Sequence, residues 1–330
     1  MSYEWSNMIN TTKEALPQQA IGRDGPRVAR VALGCMGLTG TWNPAEVGLE
    51  HRRRAIAAFE AALDAGITLY DHADIYGGGS CEEVFKDCLA AVPGAREHIV
   101  IATKGGIVLG KGHYNLSAPY LTECVERSLR RMGIDYIDLY QLHRPDPLTH
   151  PAETAGTLNS LLRRGLIRAV GVSNYYPEQV RALQRYLDAP LRGNQIEISL
   201  TRLDPIYEGW DNGDGRPGDG ALDQCMALGM TPLAWSPLGH GVLTGRAAAP
   251  DEDARLAGLR AELAAQAETY NATPAQLALA WLLAHPAGII PLVGSANPTH
   301  IREAASATHI TLFREDWYRL WTAAWGRDVP

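Results

Sequence analysis

Three consecutive apolar runs each finish on a side chain that packing alone has no use for. The run ITLY ends in DHADIYG, which delivers Asp71 and, one turn on, Tyr76; IVIATKGG closes on Lys104; IDLYQLHRPD closes on His143 before a Pro-bounded turn. A phenol, an ammonium, a carboxylate and an imidazole suit one task well, the delivery of a proton to a carbonyl oxygen that is becoming an alkoxide. Tyrosine is a poor acid at its ordinary pKa of ~10. An ammonium 4 Å away would stabilise its phenolate by about 4 kcal/mol at an effective dielectric near 20, which predicts a Tyr76 pKa lowered by close to three. Asp71 would keep Lys104 charged and aimed, and a neutral His143 would offer the same oxygen a second hydrogen bond. Taken singly, each residue has a bland role: a turn cap, an exposed strand end, a rim histidine, a packed loop aromatic. Their joint placement carries the functional reading.

What must hold these residues is a repeated unit of strand and helix. HRRRAIAAFEAALDAG, His51 to Gly66, reads as a helix with Ile56, Phe59, Ala62 and Leu63 on one face and a terminating glycine. Strand and helix then alternate through ITLYDHAD, IVIATKGG, IDLYQLHRPD, AVGVSNY, NQIEISL, TPLAWSPLG and GIIPLVGSA. With a strand over Val28 to Leu33, the count is eight. Such alternation implies parallel strands and right-handed crossovers, and eight units close into a (β/α)8 TIM barrel, here a single domain over 1–330. In that fold, active sites lie at the C-terminal ends of the strands. Strands two, three and four would therefore bring Asp71, Tyr76, Lys104 and His143 together on the rim.

Additions to the barrel are legible too. An N-terminal β-hairpin turns around Asp24, Gly25 and Pro26, and GWDNGDGRPGDG, Gly209 to Gly220, reads as a long flexible loop after strand six. A C-terminal amphipathic helix carries Trp317, Trp321 and Trp325 at four-residue spacing, which predicts packing against the barrel wall.

Composition narrows the function classes. The net charge of -7 comes with interspersed signs and no basic stripe, which argues against a nucleic-acid partner. Five cysteines without C-x-x-C spacing suggest neither a disulfide framework nor a zinc site, and fit a reducing cytoplasm. The sequence shows no long apolar run and no signal-like start, so neither membrane insertion nor export is expected. No apolar stripe fixes the oligomeric state. GGGS at Gly77 and GHGVLTG at Gly239 lack the context of a phosphate loop and read as loop glycines. Asp71, His72, Asp74 and His143 could be imagined as metal ligands of a barrel hydrolase, but there is no H-x-H pair and the reading leaves Lys104 and Tyr76 idle.

The chain resembles the aldo-keto reductase family from end to end. DHADIYG matches its D-x-A-x-x-Y-G, ATKGG its lysine strand, QLHRPD its histidine strand, GVSNY its S-N pair and WSPLGHGVLTGR its S-P-L loop, all in order. HRPDP and the closing GRDVP look closest to a bacterial oxidoreductase branch. The resemblance implies a catalytic tetrad of Asp71, Tyr76, Lys104 and His143, with Tyr76 the general acid that completes reduction of a small aldehyde or ketone. A cofactor-binding regulatory subunit of the same fold with negligible turnover is the alternative.

The resemblance also implies a nicotinamide site. Ser173, Asn174 and Gln195 would read the carboxamide, Trp235 would stack on the ring, and Asp71 with Gly34, Cys35 and Met36 would line the same end. Ser236, Pro237, Leu238, Gly239 and Arg246 would take the pyrophosphate, and Gly294, Ser295, His300 and Glu303 the adenosine. NADPH is the expected cofactor. Many members place lysine and arginine where this chain has Gly294 and His300, and asparagine at Ala304, so Ser295, Arg302 and Arg246 would compensate and NAD is the alternative. Free N–H groups at the start of the last helix of the repeat would also favour a phosphate. Loops around Trp42, His113, Tyr114 and Tyr207, with the C-terminal segment, would shape the substrate pocket.

Overall fold

A computed structural model describes residues 15–207, 220–246 and 253–328. The expected loop over residues 209–219 and the last two residues of GRDVP lie outside the described residues. The chain opens with a hairpin, β1 (Gln18–Ala20) against β2 (Arg27–Ala29), antiparallel. The barrel then runs β3 (Ala32–Gly34), β4 (Leu69–Asp71) and β5 (Val100–Gly105). A small hairpin, β6 (Ile107–Val108) and β7 (His113–Tyr114), stands apart from it. The barrel resumes with β8 (Leu139–Leu142), β9 (Val170–Ser173), β10 (Leu191–Glu197), β11 (Thr231–Trp235) and β12 (Ile290–Val293). These eight strands pair in parallel and close, β12 against β3. The fold is the expected (β/α)8 barrel.

One boundary differs from the sequence reading. Val28 belongs to the hairpin, and the first barrel strand begins at Ala32. Arg30 and Val31 turn the corner between them, with Arg30 donating to Gln19 at 3.1 Å and to the carbonyl of Leu283 at 2.6 Å. VARVAL is apolar at every position but Arg30, so the pattern marks no break at that corner.

The helices are α1 (Leu49–Asp64), α2 (Ser80–Ala91), α3 (Ala118–Met132), α4 (Pro151–Arg163), α5 (Pro177–Gln184), α6 (Asp204–Tyr207), α7 (Ala221–Leu228), α8 (Ala254–Thr269), α9 (Pro274–Leu283), α10 (Pro298–Ser306) and α11 (Arg314–Trp325). α3 shows why they form. Leu121, Cys124, Val125, Ser128, Leu129 and Met132 make one buried face at helical spacing, Pro119 opens the first turn, and Gly133 ends it at φ 65°. Burying each large aliphatic side chain of that face contributes roughly 1.5–3 kcal/mol. On α11 the tryptophans pack as expected: Trp317 stacks on Trp281 of α9 at 4.9 Å, and each indole N–H donates to the other residue's carbonyl, at 3.1 and 2.9 Å.

Strand parity positions the site. Leu69, Val100, Ala102, Leu139, Leu233 and Ile290 form an apolar layer together with Ile21 and Val28 of the first hairpin. Side chains two residues apart share a strand face. Asp71 above Leu69, Lys104 above Ala102 and Gln141 above Leu139 therefore stand on the same inner face, toward the C-terminal ends. Tyr70 and His72 have the opposite parity and meet Phe85 of α2, at 5.6 and 4.4 Å between rings.

Candidate active site

Asp71 gathers donors from three other strands. Its carboxylate accepts from Lys104 of β5 at 2.7 Å, Gln195 of β10 at 2.8 Å and Gln141 of β8 at 3.2 Å. The Lys104 ammonium spends its remaining two protons on the His72 carbonyl at 2.7 Å and the Tyr76 hydroxyl at 3.2 Å. Lys104 is fully buried, and its side chain lies beneath the cavity rather than in its wall. Burial opposes its charge, yet Asp71 and Tyr76 outweigh that and hold its pKa above the ordinary lysine value.

Tyr76 opens a 3-10 turn, Tyr76–Gly79, its N–H bonded to the Ala73 carbonyl at 3.0 Å. Three glycines follow with positive φ, which lets the chain reverse into α2. Gly79 is also a close approach: a Cβ there would meet the Arg131 guanidinium carbon at 2.3 Å. The phenol's pKa is raised, not lowered as the sequence argument expects. Burial pushes it up and Asp71 adds to that, and the Lys104 ammonium does not prevail. Tyr76 thus keeps its proton at neutral pH, and an alkoxide is a strong enough base to take it.

The His143 ring stands edge-on to Tyr76, centroids 6.1 Å apart. Burial pushes its pKa far below the ordinary histidine value, with Lys104 and Arg144 adding to the effect, so the imidazole is neutral. Its Nδ1 is buried without a partner among the described residues.

A cavity of about 910 Å³ opens over these groups, at the upper end of ordinary ligand sites. Asp71, Tyr76, His143 and Met36 line it together with Gly294, Ser295, His300 and Glu303, and Gly34 of β3 lies beside Gly294, a Cβ there falling 3.8 Å from the Gly294 Cα. Ser173, Asn174, Gln195, Trp235, Ser236, Pro237, Leu238 and Arg246 belong to the same lining. Ser173 donates to the Gln195 carbonyl at 2.9 Å, Asn174 to Ser173 at 2.8 Å, and the Trp235 indole to Asn174 at 3.1 Å. Asn174 and Ser236 hold left-handed backbone, φ 60° and 50°, a conformation unusual outside glycine. Arg246 makes no side-chain hydrogen bond or ion pair among the described residues. Amide and hydroxyl groups, a flat indole and a guanidinium unpaired among the described residues, all lining one cavity, fit a nicotinamide dinucleotide.

Some expected residues stand elsewhere. Cys35 turns into the core, its thiol near the Leu33 carbonyl at 3.7 Å. Gly239 is buried against Thr201, and Arg302 is exposed on α10, away from the cavity. His113 and Tyr114 sit on the small hairpin and do not line the cavity. The start of α10 has little to offer a phosphate: Pro298 has no N–H, and Asn297 already caps that of Thr299 at 2.9 Å. The imagined metal ligands also separate, with His72 facing Phe85 and Asp74 bound to Arg127 at 3.0 Å. Among the described residues, no group of three or more His, Cys, Asp or Glu is arranged to hold a metal ion, and no helix is long and apolar enough to cross a membrane.

The Aldo/keto reductase family model matches residues 30–324. The chain belongs to the aldo/keto reductase family. As such it is an oxidoreductase. It is 42% identical over 318 residues to a 6-dehydroglucose reductase of Novosphingobium aromaticivorans, covering 94% of this chain and 96% of that one. It is 40% identical over 281 residues to a 6-dehydroglucose reductase of Agrobacterium fabrum, covering 83% and 88%. The crystal structure of an aldo-keto reductase from Klebsiella pneumoniae in complex with NADPH superposes with a TM-score of 0.71 at 26% identity, covering 92% and 94%.

Several residues of this aldo/keto reductase site escape sequence reasoning. Ala275 and Leu279 of α9 line the cavity from a helix whose sequence gives no sign of it. Gln141, the third donor to Asp71, was legible in principle as a polar residue two before His143 on an otherwise apolar strand. Arg144, His240 and Thr244 also line the cavity.

Proposed function

We propose that this aldo/keto reductase reduces a small aldehyde or ketone to the alcohol with NADPH, with Tyr76 as general acid. The observation that carries this is the Lys104 ammonium bonded at once to Asp71 and to the Tyr76 hydroxyl beside a neutral His143. A reduced nicotinamide bound in the cavity would supply hydride to the carbonyl carbon. Tyr76 gives its proton to the carbonyl oxygen as charge develops there. Lys104, fixed by Asp71, holds the hydroxyl in place and stabilises the phenolate left behind. His143, uncharged, steadies the same oxygen by a hydrogen bond. Ser173, Asn174 and Gln195 orient the carboxamide, and Trp235 provides the surface on which the ring rests.

NADPH is favoured over NADH by the NADPH-bound relative and by the unpaired Arg246 guanidinium, with Ser295 and His300 in place of a stronger cationic clamp. Two relatives named for 6-dehydroglucose make an oxidised sugar the favoured substrate class.

The test is steady-state reduction of an aldehyde panel with NADPH and NADH by the protein and by Tyr76→Phe. Turnover falling about a hundredfold in the variant, with NADPH binding retained, is the expected result. Equal turnover in the two proteins would sink the assignment.

A further inference from the structure

Arg144 follows His143 at the end of the fourth barrel strand and lines the same cavity as Tyr76, Ile75 and Trp42. It is half-buried, and among the described residues it makes no hydrogen bond or ion pair. Other arginines near the site are committed: Arg127 to Asp74 at 3.0 Å, Arg131 to Glu82 at 3.2 Å. A guanidinium is a rigid fork of five N–H donors, and one left open on a cavity wall has its acceptors still to come.

Opposite in character is Trp42. This large aromatic lines the cavity with 55% of its surface exposed. Its loop is tied down, Thr41 donating to Glu46 at 2.6 Å and Asn43 to the same carboxylate at 3.0 Å. The loop also lies over the turn of Tyr76, since a Cβ on Gly78 would meet Pro44 at 2.8 Å. An indole held in that way offers a flat apolar face at low entropic cost.

We propose that Arg144 and Trp42 form the substrate subsite for a polyhydroxylated aldehyde, Arg144 donating to vicinal hydroxyls and Trp42 covering the C–H face of the same chain or ring. This rests on the sugar-aldehyde reading above and names the residues that would impose it. The two relatives named for 6-dehydroglucose favour hydroxyls over a carboxylate, although by charge alone a lone guanidinium would take a carboxylate as readily. Lys104 is neutralised by Asp71 and His143 is uncharged, so among the described residues Arg144, next to His143 in sequence, is the unpaired cation beside the reacting groups. Met36, Trp42 and Ile75 of the same lining are apolar and supply no second charged donor to an anion.

The test compares kcat/KM with NADPH for two pairs of aldehydes: glyceraldehyde against propanal, which differ by vicinal hydroxyls, and succinate semialdehyde against butanal, which differ by a carboxylate. In Arg144→Ala the glyceraldehyde-to-propanal ratio should fall by about tenfold, the scale of lost hydrogen bonds to a charged group. Trp42→Ala should lower the same ratio, and Arg144→Lys should recover only part of it, because an ammonium lacks the fork. Far-ultraviolet circular dichroism confirms that each variant is folded. A glyceraldehyde ratio that does not move overturns the subsite, and a fall confined to the semialdehyde ratio overturns it in favour of an anion site. If the unmodified protein reduces none of the four with either cofactor, the reductase reading fails and takes this one with it, whereas an active protein with insensitive ratios sinks the subsite alone.

Discussion

Arg131 of α3 donates at 2.8 Å to the main-chain carbonyl of Asp74, two residues before Tyr76. The same guanidinium pairs with Glu82 at 3.2 Å, and Glu82 in turn accepts from Thr103 at 2.8 Å, the residue before Lys104. Asp74 N–H closes the circuit on the Lys104 carbonyl at 2.9 Å. The loop of Tyr76 and the strand of Lys104 are thus held to one another through a buried carboxylate on α2 and a half-buried guanidinium on α3.

Breaking that circuit on one side should be costly. Arg131→Met leaves the fully buried Glu82 without its cation, and loss of one partner of a buried pair costs about 3–5 kcal/mol. The denaturant midpoint should drop accordingly, and adding Glu82→Gln should restore part of the loss. A double variant no more stable than Arg131→Met would show that the pair is not coupled.

Lys104→Met removes the cation that both Asp71 and Tyr76 share. Turnover should fall by about a hundredfold or more, with kcat and kcat/KM falling together, because the lost interaction acts on the developing charge. Steady-state kinetics beside an NADPH titration would check this. A rise in KM alone would place Lys104 in binding instead.

The pH dependence of turnover follows from two directions. Tyr76 is needed protonated and its pKa is raised above 10.0, so kcat for reduction should stay level through neutral pH and decline only on the alkaline side of the ordinary tyrosine range. His143 is needed neutral and its pKa lies well below 6.5, so no inflection should appear near that value. A kcat profile that breaks near pH 6.5 would contradict a neutral, buried His143.

Stability should carry a separate acid limb from His72. Burial, and secondarily Lys104, lowers its pKa from 6.5 to about 3. In the unfolded chain it would take up a proton near 6.5, so acidification favours unfolding: its contribution is complete above that pH and is lost as pH falls toward 3. Each pKa unit is worth about 1.4 kcal/mol, so several kcal/mol are at stake. Neither ring nitrogen has a partner among the described residues, so His72→Leu should cost little at neutral pH and flatten the fall in Tm between pH 7 and 4. An unchanged acid slope would assign that limb to other groups.

The barrel and the four central side chains were legible because both follow from local pattern. Strand-length apolar runs bounded by glycine and proline mark β4, β5 and β8, and each runs straight into its polar residue. The direction of the Tyr76 pKa was not legible, because the sequence supplies the lysine but not the depth of burial that outweighs it. Arg127 and Arg131 were not legible either, because nothing local in α3 says that they reach Asp74 and Glu82 beside the loop of Tyr76. Cys35 and Arg302 fail for a related reason: a motif fixes a residue's neighbourhood along the chain, while whether its side chain faces the cavity depends on the turn that carries it.

The first hairpin ties the beginning of the chain to its far end. Gln19 donates to the Gly288 carbonyl at 2.6 Å, and Ile21 and Val28 share an apolar layer with Leu233, Ile290 and Leu292. During synthesis, which proceeds from the N-terminus at roughly 5–20 residues per second, these early residues must wait for β12 before they can be buried. A nascent chain halted before Ile290 would hold an open sheet with its floor unsealed, exposed to proteases and to holdase chaperones. Closure of the barrel therefore waits for β12, and the quality-control machinery has the synthesis of every strand before it in which to act.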